Sequence, residues 1–187
     1  MKKRKKKALI YTVIVILLLV FFQKRITTLV YHIKVTYQLN NSIVWDESKP
    51  LKWSHFRYDS SRDIPDDILT HVGFLHRYHV DTELDYESYT LFNPRKSIVA
   101  DTTDSFSLRI AQARFDLCEI YRRKLQNEVE ILKINTYSEI TANEIDKLYN
   151  KNHVSFEREW EEFMKLSKDE VELGLINLET RIDKVLY

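Results

Sequence analysis

The spacing of apolar and polar positions changes twice along this chain. Residues 8–22 form a nearly all-apolar run of 15, closed by Gln23, Lys24 and Arg25. Residues 28–38 then alternate, with Leu29, Tyr31, Ile33, Val35 and Tyr37 on one side, the period of a half-buried strand. Asn40, Asn41 and Ser42 break that pattern, and Ile43, Val44 and Trp45 open a new short run before a turn-rich stretch ending at Pro50. Residues 59–67 are polar, contain Pro65, and predict a loop. Val72, Phe74, Tyr78 and Val80 alternate again, and residues 86–92 favour β structure. Three to five strands, antiparallel, are expected between residues 28 and 100.

The second half has a helical period. Leu108, Ala111, Phe115, Cys118, Leu125, Val129 and Leu132 recur at helical spacing, predicting a long amphipathic helix over residues 105–134. Thr141 with Glu144 three residues on is a capping-box signature. It opens a helix with the stripe Ile145, Leu148, Phe156, Trp160 and Phe163. Ser167 and Glu170 repeat the signature before Val171, Leu175, Leu178, Ile182 and Val185. Strands followed by helices belong to the α+β class: a small antiparallel sheet packed on a long helix and one or two further helices.

Charge divides the chain. Of its 29 basic and 28 acidic residues, eight basic and no acidic ones fall in residues 1–25, so the remainder carries a formal −7. An acidic body argues against a nucleic-acid partner, whose phosphates need a basic face. Six of the first seven residues are basic, and they precede the apolar run directly. A cleaved signal peptide needs small residues after such a run, and residues 21–25 supply none. A retained transmembrane helix through residues 8–22 is therefore expected, although 15 residues at 1.5 Å each are short for a span of about 30 Å. Snorkelling Lys and Arg side chains or a thinned bilayer can cover the difference. The heavier basic flank keeps the N-terminus cytoplasmic. The expected organisation is a cytoplasmic tail and signal anchor over residues 1–25, and an extracytoplasmic domain, periplasmic or at the cell surface, over residues 26–187.

Several chemistries drop out. With two glycines, Gly73 and Gly174, the chain has no phosphate-cradling loop. With Cys118 alone it has no intrachain disulfide and no CxxC site. Cys118 lies on the long helix's apolar stripe, where a free thiol is a small buried hydrophobe. His71 and His79 would share a strand face about 26 Å apart at ~3.3 Å per residue, with His76 pointing away, which is poor geometry for a metal. Asp116 and Glu119 form an i, i+3 carboxylate pair within reach of Arg122, Arg123 and Lys124, and are expected on a solvated ion-pair face or buttressing a site. Trp45, Trp53 and Phe56 are expected in the core.

Three stretches resemble the bacterial family known as domain of unknown function 922. Residues 43–56 resemble its opening: Trp45, a turn, then Pro50, Leu51, Trp53 and Phe56. Residues 92–99 resemble a Phe-x-x-x-x-Ser-Trp-Val strand end, with Ile98 in place of the Trp. Residues 108–125 resemble its long helix, closely so from Phe115 to Leu125. That helix carries His-Glu-Gln-x-His just before Phe-Asp, similar to the motif of zinc peptidases, where two His at i, i+4 hold Zn²⁺ and the Glu polarises its water. Here the matching positions are Ile110, Ala111, Gln112, Ala113 and Arg114. A third family ligand, a His before a Gly in the last helix, is matched by Leu173 before Gly174, with Glu170 upstream.

The resemblance therefore implies a degenerate metal site at Ile110, Ala111, Arg114 and Leu173, with Gln112, Asp116, Glu119 and Glu170 as residual neighbours. Ile110 and Leu173 have no lone pair to offer, and Arg114 is a permanent cation. No catalytic residue, metal or cofactor is expected. Ile110, Arg114 and Leu173 are expected to converge, with Arg114 turned outward or paired with an acid, for which Glu170 is the candidate. The implied function is a membrane-anchored pseudo-hydrolase with a binding or structural role, its protein partner unidentified. The alternative is a hydrolase with a metal-free or rearranged site.

Overall fold

The computed structural model describes residue 12 and residues 22–23, 29–61, 68–80, 84–135 and 140–187. The chain divides into two units, Met1–Asn40 and Asn41–Tyr187.

In the first unit residues 29–40 are helical (α1), not the strand that the alternation of Leu29, Tyr31, Ile33, Val35 and Tyr37 predicts. The reason is that most of the same residues also fit a helical period. Leu29, Val30, Ile33 and Tyr37 also satisfy i, i+1, i+4, i+8, one stripe of a helix. A lone strand would leave its backbone donors and acceptors unpaired, whereas a helix pairs them within itself. The expected anchor over residues 8–22 lies outside the described residues, except for Thr12 and Phe22, both helical. Among the described residues no helix is long and apolar enough to cross a membrane.

The second unit is α+β. Its elements are β1 (Ile43–Val44), a 3-10 turn at Trp53–His55, β2 (Arg57–Tyr58), β3 (Ile68–Leu69), β4 (Val72–Val80), β5 (Leu84–Phe92), β6 (Ile98–Val99), α2 (Ser105–Asn135), α3 (Ala142–Phe163) and α4 (Val171–Leu186). One antiparallel sheet has the order β1-β5-β4, with register Val72 to Phe92 and Val80 to Leu84 across the hairpin. The second has the order β2-β6-β3 and is mixed: β6 pairs antiparallel with β3 and parallel with β2. This corrects the all-antiparallel expectation. The chain leaves β2, makes β3 and the long hairpin, and returns as β6, a crossover long enough for a parallel neighbour.

Alternation sets the faces of the hairpin. Val72 and Phe74 on β4, and Leu84, Tyr86, Thr90 and Phe92 on β5, are buried. On the opposite face Arg77 pairs with Glu87 across the strands. The helix α2 packs against β4 and β5 on one side and against α3 and α4 on others. Consequently five consecutive residues, Phe115, Asp116, Leu117, Cys118 and Glu119, are all buried. A surface helix would bury one stripe only. The α3 capping box forms as expected, with the Thr141 side chain accepting from the Glu144 N–H and the Glu144 side chain accepting from the Thr141 N–H. At the entry to α4, Glu170 Oε2 accepts from the Ser167 N–H at 3.1 Å and from its hydroxyl at 2.7 Å.

Candidate functional site

Polar chemistry in this fold concentrates along α2. Gln112, Asp116, Glu119 and Arg123 recur at i, i+4, i+7 and i+11, so the helix presents them as one row. Asp116, 6% exposed, accepts from Trp45 Nε1 at 2.7 Å and from Gln112 Nε2 at 2.8 Å, both on Oδ1. Gln112 Oε1 accepts the backbone N–H of Leu51 at 2.7 Å. The three side chains thus tie the segment after β1 to α2. Burial pushes the Asp116 carboxyl above its ordinary range, the hydrogen bonds oppose that, and Asp183 and Glu119 reinforce it. Tyr187, at the C-terminus, is likewise pushed up, first by burial and then by Asp116, Glu47 and Asp183.

Glu119 is 3% exposed and fully engaged. Its Oε2 accepts from Thr90 Oγ1 and Arg122 Nε, and its Oε1 from Arg122 Nη2 and Arg123 Nε, all at 2.8–2.9 Å. Burial raises its pKa, but Arg122, Arg123 and Thr90 outweigh that and hold the carboxyl below its ordinary range. Arg123 also lies over the Trp45 ring at 5.2 Å, and its Nη1 reaches the Leu186 carbonyl oxygen at 3.4 Å. The expected solvated face at Asp116 and Glu119 is therefore corrected. Both carboxyls are buried, because the hairpin and α4 cover a side of α2 that helical periodicity marks as polar.

The degenerate metal positions occupy different surroundings. Ile110 and Ala111 are buried in the main core. Arg114 donates from Nη1 to the Thr70 carbonyl oxygen at 3.0 Å and from Nη2 to Glu157 Oε2 at 3.3 Å. Its guanidinium lies over the rings of Trp160 at 5.3 Å and Phe156 at 6.0 Å. Burial draws its pKa down, and Glu157 opposes that. The expected partner Glu170 bonds to Ser167 instead, since its place in the α4 cap commits it locally. Leu173 is 63% exposed and does not fill an apolar space beside Ile110. The α4 residues that are buried are Leu175, Leu178, Ile182 and Leu186, a stripe from which Leu173 is excluded by helical phase.

Zinc does not fit this donor set. Ile110 and Leu173 carry no ligating atom, and the Arg114 cation already takes the nearby carboxylate Glu157. Among the described residues no group of three or more His, Cys, Asp or Glu side chains is placed to hold a metal ion. His76 stacks on Tyr149 at 4.2 Å, and His153 stacks on the same tyrosine at 5.9 Å, so these histidines take part in an aromatic column between β4 and α3. Cys118 is fully buried, and burial pushes its thiol well up. Phe56 is buried, and Trp45 and Trp53 pack on the core.

A depression of about 290 Å³ opens between α2, α3 and α4, lined by Leu117, Glu159, Phe163, Asn177, Leu178 and Arg181. Its charges are mutually engaged: Glu159 accepts from Tyr121 Oη at 2.6 Å and pairs with Arg181. Sequence reasoning missed Trp45, Thr90 and Glu157 as polar partners of α2. Thr90 carries a faint signal, as a polar residue on the buried face of β5. No protein-family model, curated protein or solved structure matches this chain.

Proposed function

We propose that this chain is a membrane-anchored extracytoplasmic protein on a zinc-peptidase-like scaffold without the metal site, acting by binding or as a structural component. The observation carrying this reading is Arg114. Its guanidinium is fixed by Thr70, Glu157, Phe156 and Trp160, one helical turn from buried Ile110, where the resembled family places its two His ligands. A residue set that already holds one cation by carboxylate and aromatic faces has no vacancy for a second. The engagement of Glu119 adds support, since both its oxygens already accept hydrogen bonds and a general base needs a free lone pair directed at substrate. The hydrolase alternative draws on one observation, the raised pKa of Asp116, a property shared by catalytic acids.

The anchor belongs to the same proposal: residues 8–22 span the membrane, the basic N-terminus is cytoplasmic, and the body lies outside. Elemental analysis of the purified full chain is expected to find no stoichiometric zinc, and a chelator should leave its melting temperature unchanged. Equimolar zinc, or loss of stability on chelation, would return the chain to the hydrolases. Protease added to intact spheroplasts should digest the body and spare an N-terminal tag, whereas a protected body reverses the orientation.

A further inference from the structure

We draw no further inference here: the strongest candidate, the exposed apolar face of α1 formed by Leu29, Val30, Ile33 and Tyr37, carries none, because nothing in the structure shows what covers it.

Discussion

Asp116 and Glu119 sit three residues apart on one helix, and burial acts on both, yet their ionisation goes in opposite directions. Glu119 has two guanidinium groups and a hydroxyl, while Asp116 has only neutral donors, Trp45 and Gln112. The pH linkage follows from each sign. The Asp116 pKa is raised from its ordinary 3.8, so the folded state holds that proton to higher pH than the unfolded chain. Its contribution to stability is full below the ordinary value and is lost as pH rises through the raised one. Glu119, with a lowered pKa, contributes above its ordinary value and loses that contribution as pH falls through the lowered one. Asp116→Asn keeps an acceptor oxygen for Trp45 and Gln112 and removes the charge. Urea denaturation should find it at least as stable as wild type at neutral pH, with any advantage shrinking towards acid. A marked loss at neutral pH would mean that the ionised carboxylate is stabilising. Glu119→Ala leaves Thr90 and Arg122 without their acceptor and should cost about 3 kcal/mol in the same measurement.

At the scale of elements, α4 shows how one position couples cap, turn and helix. A methyl group at Gly174 would come within 2.3 Å of Leu166 Cδ1, while its next neighbour, in the Phe163 ring, stands at an ordinary 3.7 Å. Leu166 is 37% exposed, so its side-chain end can swing into solvent. Replacing a helical glycine by alanine gains about 1 kcal/mol in propensity. Gly174→Ala should therefore be neutral or slightly stabilising in thermal melts. A clear destabilisation would show that Leu166 is held in place. The cap of α3 offers a contrast. Thr141→Ala removes the acceptor for the Glu144 N–H and should cost about 1 kcal/mol.

For the whole molecule, the main core cluster, with the half-buried residues packed on it, runs from Ile43 to Leu186 and draws on strands and all three helices of the second unit. A chain reduced to residues 41–187 is thus expected to fold alone, with a single cooperative thermal transition followed by circular dichroism. A broad, non-cooperative melt would show that the first unit supplies necessary contacts. Within that body, Phe156→Ala should cost about 3–5 kcal/mol, because Phe156 is fully buried among Phe74, Tyr121 and the Arg114 guanidinium.

The α+β class, the extents of α2 and α3, the α3 capping box and the alternation of the central hairpin were legible in the sequence alone. Each depends on periods and caps acting over a few residues, where local sterics and the solvent-facing side decide. The helix at residues 29–40 was not legible, because a densely apolar segment fits both periods and only the presence or absence of a pairing strand chooses between them. The parallel pairing of β2 with β6 depends on where a chain returns after some 40 residues, which no local pattern encodes. The burial of Asp116 and Glu119, the pairing of Arg114 with Glu157 rather than Glu170, and the exposure of Leu173 were decided by tertiary packing. A polar residue's periodicity marks it for water, and only the elements stacked on α2 determine whether water reaches it.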